Sequence, residues 1–258
     1  MKQVQFARRR MALLLLAAAI PATSAMSAFA SPLSWLSGER VQGSGNITRQ
    51  SRELGHFTAL ATSLGGNVEI RLGNTESVSI ETDDNLQSQI ETVVENGTLR
   101  IRPIKRDLKL EPHTLKVVVQ ARTVEHISVG GSAAVEADRL HGQKLEFDIG
   151  GSGMINARNL ESQSVSVSLG GSGSMKVSGN TEQLQVSIGG SGRVQAGQLA
   201  SRDATISIGG SGQATVWARQ SLNLSIGGSG DIAYYGDPQL TKSIHGSGSV
   251  KRLGGSPQ

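Results

Sequence analysis

From residue 125 onward, apolar and polar positions alternate with period two, and the alternation restarts about every twenty residues. Val129, Ile149, Leu169, Ile188, Ile208, Ile226 and Ile244 each stand immediately before a glycine-rich turn. Two residues earlier come Ile127, Phe147, Val167, Val186, Ile206, Leu224 and Lys242, and two earlier again Glu125, Leu145, Val165, Leu184, Ala204, Leu222 and Leu240. Between the first two sets lie Ser128, Asp148, Ser168, Ser187, Ser207, Ser225 and Ser243. Period two marks a strand with one buried face. After the turn the alternation resumes, as Val135/Ala137, Ile155/Ala157, Met175/Val177, Val194/Ala196, Ala214/Val216 and Ile232/Tyr234. Each unit reads as strand, turn, strand and polar connector.

The turn itself repeats. Gly150-Gly151-Ser152-Gly153 recurs at 170–173, 189–192, 209–212 and 227–230, with variants at 130–133 and 245–248, so that successive copies begin 20, 20, 19, 20, 18 and 18 residues apart. One such unit cannot bury its apolar face alone, but stacked units form a continuous core with equivalent residues in columns. The expected fold is all-β: a right-handed, single-stranded parallel β-helix, or solenoid, with coils of about 20 residues and Gly-Gly-Ser-Gly corners. Seven such coils would span roughly 34 Å at strand spacing. Gly150, Gly151, Gly170, Gly171, Gly189, Gly190, Gly209, Gly210, Gly227 and Gly228 are the expected structural turn residues. They would supply positive φ and avoid a Cβ clash with the neighbouring coil, while the turn serines would bond nearby backbone. An antiparallel β-sandwich is the rival; it would not require near-identical turns in register.

The amino-terminal half is less regular. Leu60, Thr62 and Leu64, then Gly65-Gly66, then Val68 and Ile70, resemble one coil with a shortened turn. Strand-like runs follow at Val78–Ile80, Ile90–Val94, Leu99–Ile101 and Leu115–Val119. Asn96-Gly97 reads as a hairpin turn, and Asp83-Asp84-Asn85 as the start of one helical turn. At the other end Lys242 and Arg252 occupy positions where an inward apolar residue is expected, which suits a terminal coil that must face water.

Composition adds location. Lys2, Arg8, Arg9 and Arg10, an apolar run from Met11 to Ile20, and Ala28-Phe29-Ala30 form a secretory signal peptide over residues 1–30. The apolar run is too short to span a bilayer. The expected organisation is signal peptide 1–30, extension or linker 31–45, β-helix 46–250 (an irregular capping half, 46–125, and regular repeats, 126–250) and tail 251–258. The product would be exported, periplasmic or at the cell surface, with no membrane span after signal removal. The whole chain carries 25 Lys+Arg and 21 Asp+Glu. All four basic residues of the signal leave with it, so the mature chain is balanced and nothing favours nucleic acid. Arg100, Arg102, Lys105, Arg106 and Lys109 form one local basic cluster, read as a solvated face or a site for an anionic glycan or lipid headgroup.

The motifs Gly43-Ser44-Gly45-Asn46-Ile47, Gly55-His56-Phe57, Asn67-Val68-Glu69-Ile70 and Asn96-Gly97-Thr98-Leu99-Arg100-Ile101, followed by the Gly-Gly-Ser-Gly series, resemble a bacterial family, the "putative auto-transporter adhesin, head GIN domain" family. The resemblance covers about residues 42–250. It implies a secreted or envelope β-helical protein and brings no catalytic residues with it. No translocator barrel is expected after the last turn.

Candidate chemistry is sparse. The chain has no cysteine, hence no disulfide, thiolate metal site or cysteine nucleophile. No copy of the glycine turn is followed by the Lys-Ser or Lys-Thr of a phosphate loop. The five histidines show no metal-ligand spacing, and no metal or cofactor is expected. Glu146 and Asp148 lie on one strand face and could form a two-acid site of the kind used by polysaccharide-active enzymes. The aromatic residues of the mature chain, Trp35, Phe57, Phe147, Trp217, Tyr234 and Tyr235, show no stacking ladder in sequence. The more informative surface is a column of Ser168, Ser187, Ser207 and Ser225 beside a second of Ser166, Gln185, Thr205 and Asn223. Both should face outward at about 4.8 Å spacing, as a docking face for a protein partner, another protomer or a glycan. The expected function is a non-catalytic, adhesin-like binding module; the alternative is a polysaccharide-active enzyme of the cell envelope on the same scaffold.

Overall fold

The computed structural model describes residues 39–257. The expected signal peptide, most of the 31–45 extension and Trp35 lie outside them. Among the described residues, no helix is long and apolar enough to cross a membrane.

The chain is a parallel β-solenoid of about six turns. Strands ahead of each glycine corner form one wall. His126–Val129, His141–Ile149 and the later halves of Met154–Leu169, Ser174–Ile188, Arg193–Ile208 and Gln213–Ile226 stack there, followed by Gln239–Ile244. Strands after the corner form the second wall, from Ala134–Asp138 to Asp231–Tyr235 and Ser249–Gly254. All these pairings are parallel, which excludes the sandwich. The inward columns are sealed: Val167, Val186 and Ile206 on the first wall, and Ile155, Met175 and Val194 on the second, are at most 1% exposed. Glu125 departs from the expected column. It precedes the strand His126–Val129 and is exposed, while Val124 is buried in its stead.

Glycine at the corners answers to close approach rather than to backbone handedness. None of the glycines in the Gly-Gly-Ser-Gly turns from 130 to 230 has a left-handed φ, which corrects half of the expected reason. A Cβ on Gly151, Gly171, Gly190, Gly210 or Gly228 would instead fall well inside contact distance of a carbonyl oxygen in the preceding coil. That oxygen is already engaged: the Ser152 N–H donates to the Gly131 carbonyl at 3.1 Å and the Ser211 N–H to that of Gly190 at 3.2 Å. The fourth glycine is equally constrained; a Cβ on Gly212 would lie 2.5 Å from Ile188 Cγ2. The first is not, since Gly150, Gly170 and Gly189 have open space around the Cβ position. The turn serines are exposed to solvent.

The second corner absorbs the unequal repeat lengths. Register shifts fall between Ala157 and Leu160, between Lys176 and Ser178, and between Ala196 and Asp203, leaving both walls in step. A short ladder of hydroxyls lines this corner. Ser162, Thr181 and Ser201 are in register and donate to the carbonyls of Ser164, Gln183 and Trp217 at 2.7, 3.1 and 2.7 Å. The buried polar groups are thereby satisfied where the backbone bends.

The amino-terminal end is closed by a different device. The coil 59–72 lies in space between the coil 98–121 and the coil that starts at His126: Leu60 pairs with both Leu99 and Ile127, and Val68 with both Val117 and Val135. Antiparallel strands then extend each wall. Ser77–Asp83 and Ile47–Glu53 add to one, and Ile90–Glu95 adds to the other through a hairpin in which Asn96 and Gly97 have φ of 51° and 73°. The helical turn Asp84–Gln87 plugs the end with fully buried Leu86. Arg52 ties the two extensions together, donating to the carbonyls of Ile90 and Gln87.

The Gly43-Ser44-Gly45-Asn46 motif clasps this cap. The Asp83 carboxylate, fully buried, accepts bonds from the Gly45 and His113 N–H groups at 2.7 and 2.9 Å and pairs with His113 Nδ1 at 2.9 Å. Asp84 accepts from the Ser44 hydroxyl and the Asn46 amide. A Cβ on Gly43 would strike the Asp83 carboxyl group. Arg40–Gln42 pairs with Lys109–Glu111, so this part of the expected linker is structured. The solenoid also runs through Gly254, past the expected start of the tail.

Candidate functional site

Parallel pairing in unbroken register converts the sequence repeat into a grid on the outside of the first wall. Asp148, Ser168, Ser187, Ser207, Ser225 and Ser243 are consecutive partners, as are Glu146, Ser166, Gln185, Thr205, Asn223 and Thr241. Ser168, Ser187, Ser207 and Ser225 are exposed, as are Gln185, Thr205 and Asn223; Ser166 is half-buried. A third outward column, Ser164, Gln183, Asp203 and Ser221, runs beside them. Asp203 accepts bonds from the Ser221 hydroxyl at 2.6 Å and from Arg202 Nε at 2.8 Å, which hold its carboxyl below the ordinary value. The wall is dominated by short polar side chains, with a depression of about 420 Å³ over Ser164, Gln183, Gln185, Asp203 and Thr205.

Glu146 and Asp148 sit at one end of this grid, and each has a basic partner. The Lys144 ammonium pairs with Glu146, and His126 Nε2 lies 2.8 Å from Asp148 Oδ2. The Lys144 bond keeps the Glu146 carboxyl below the usual carboxylate range, against a smaller opposing effect of burial. A general acid needs the opposite displacement, upward toward the working pH. The basic cluster is likewise compensated in part: Arg100 pairs with Glu95 at 3.0 Å, Arg102 with Glu91 at 2.7 Å and Lys105 with Glu39 at 2.8 Å. Among the described residues, no group of three or more acidic and histidine side chains is placed to hold a metal ion.

The second wall holds what the sequence reading passed over. Trp217 and Tyr235 are register partners on adjacent strands, both facing outward and half-buried. Their kinship was available in the repeat alignment, because Gln213 and Asp231 are equivalent and each aromatic residue lies four positions further on.

A family model described as "Putative auto-transporter adhesin, head GIN domain" matches residues 56–238. The chain belongs to this family. Similar folds are known from crystals. A putative adhesin from Bacteroides fragilis is 24% identical, superposes with a TM-score of 0.77, and aligns over 83% of this chain and 100% of its own. A putative lipid binding protein from Parabacteroides distasonis is 26% identical, with a TM-score of 0.70 and the same coverage of both chains. A putative adhesin from that organism is 21% identical, with a TM-score of 0.67 over 83% of this chain and 100% of its own. No curated protein matches the sequence.

Proposed function

We propose that the mature chain, beginning near Ser31, is an exported, non-catalytic, adhesin-like module of the cell envelope that presents its first wall to a protein partner or glycan. The observation that carries this reading is the in-register grid of Ser168, Ser187, Ser207 and Ser225 beside Ser166, Gln185, Thr205 and Asn223. Repeated hydroxyls and amides on a rigid wall offer many weak hydrogen bonds to an extended surface, and short side chains lose little entropy when covered. The grid extends over successive strands, an extent suited to a macromolecular contact rather than to one small substrate. Membership in an adhesin family supports the reading, as do the basic, apolar and Ala-Phe-Ala segments at the amino terminus.

The test is co-sedimentation of the mature protein with purified envelope fragments, with the supernatant analysed for shortened products. The proposal expects sedimentation without product release, and a loss of about tenfold in affinity when Ser187→Lys and Ser207→Lys place two long charges on the wall. Unchanged sedimentation of that variant removes the wall from the binding surface. Shortened glycans would make the protein an enzyme.

A further inference from the structure

The second wall carries a groove of its own near the carboxy-terminal end. It is lined by Lys176, Gln195, Gly197, Gln198, Thr215 and Tyr235, is bordered by Pro257 of the carboxy-terminal segment, and has a volume of about 240 Å³. Lys176, Gln195, Thr215, Ala233 and Lys251 are successive register partners. They form an outward row from Lys176 to Lys251 with small or amide side chains between; beyond Lys176 the same column continues through Asn156 to Glu136. The Tyr235 ring borders this column. A Cβ at Gly197, two strands away, would stand 3.3 Å from Tyr235 Cε2 and 3.1 Å from Thr215 Cγ2. The ring thus reaches across the strand of Thr215 into space that glycine leaves free. Trp217 stands beside Tyr235 in register.

We propose that this groove binds an acidic oligosaccharide of pyranose units laid along the column. A pyranose ring has an apolar C–H face and an equatorial belt of hydroxyls. Tyr235 supplies an aromatic surface for the first, and Gln195, Gln198 and Thr215 supply donors and acceptors for the second. Among the described residues no carboxylate lines the groove; Lys176 within it, and Lys251 further along the row, attract the carboxylates of uronic acid residues. From Lys176 to Lys251 the column crosses four strand spacings, about 19 Å, the reach of a short oligosaccharide rather than of one sugar.

The inference rests on the binding-module reading but assigns glycan contact to the opposite wall. The test is calorimetric titration of the mature protein with tetragalacturonate and with neutral maltotetraose. Expected are preferential binding of tetragalacturonate, a loss of about tenfold with Tyr235→Ala, and a salt-dependent loss with Lys176→Glu. Lys176 is exposed, so its substitution reports on binding even if Tyr235→Ala weakens the fold. Gln50→Ala, exposed on the amino-terminal strand Ile47–Glu53, should leave the titration unchanged. Absence of tetragalacturonate binding, or binding indifferent to Tyr235→Ala and Lys176→Glu, overturns the inference. If only the serine-wall variant lost the titration, the groove would be excluded while the first wall stood.

Discussion

Gly189 and Gly190 are neighbours in one corner, yet only one of them needs to be glycine. The Cβ position of Gly189 is open, whereas that of Gly190 is filled by the Gly171 carbonyl of the coil beneath. Gly190→Ala should cost about 1–3 kcal/mol, as overpacking does. Gly189→Ala, at a residue whose φ is not left-handed, should be neutral or stabilise by up to about 1 kcal/mol through the unfolded chain. Urea midpoints of the two variants measure the contrast. The repeat made all four turn positions visible, but the sequence could not separate the second and fourth glycines from the first. Their difference lies in contacts some twenty residues away. Asp83 makes a residue-scale prediction about acid. Burial alone would raise its pKa, but the bonds from the Gly45 and His113 backbone and from the His113 ring outweigh burial and hold it below the ordinary value. A carboxyl lowered in the folded state stabilises above its unfolded value of about 3.9 and loses that contribution as the pH falls through its folded pKa. Asp83→Asn should therefore melt earlier than wild type at neutral pH, and the gap should narrow below about pH 4.

At the scale of elements the two ends of the solenoid contrast. Antiparallel strands and a helical turn close the amino-terminal end. The last coil, by comparison, pairs Gln239–Ile244 and Ser249–Gly254 on one side only. Its inward columns hold Leu240, Ile244 and Leu253's neighbour Arg252, with Leu240 and Ile244 39% and 37% exposed. Lys242 pairs in register with Leu224 and Arg252 with Tyr234, which places two cations where a stacking copy would need apolar contacts. Charge facing inward on an edge coil opposes end-to-end pairing. Replacing both, by Lys242→Leu and Arg252→Leu, should produce concentration-dependent association in sedimentation velocity, where the wild type shows less or none. The individual strands were legible from period two, as were the Asn96-Gly97 hairpin and the helical start at Asp84. The spatial order of the first coils was not. That Leu60 lies between Leu99 and Ile127 is a non-local choice made by packing, and no local pattern encodes it. The bulges at the second corner were equally hidden, although the uneven spacing of the repeats hinted at them.

At the scale of the whole molecule, the solenoid turns a twenty-residue repeat into two long walls of different character. One is a field of short hydroxyl and amide side chains. The other carries Trp217, Tyr235 and the outward row from Lys176 to Lys251. Both depend on every coil lying over its predecessor without slippage, because a shift of one residue would turn outward side chains into the core. The absence of native cysteine permits a direct test. Ser187 and Ser207 are register partners on adjacent parallel strands, so their Cα atoms lie about 4.8 Å apart, within disulfide reach. Ser168 and Ser207 are separated by one intervening strand, at roughly twice that spacing and beyond reach. Mild oxidation of Ser187→Cys/Ser207→Cys should form an intramolecular disulfide in the folded protein, and Ser168→Cys/Ser207→Cys should stay reduced. A bridge in the second pair, or none in the first, would contradict the stacked wall on which the proposed binding surfaces are built.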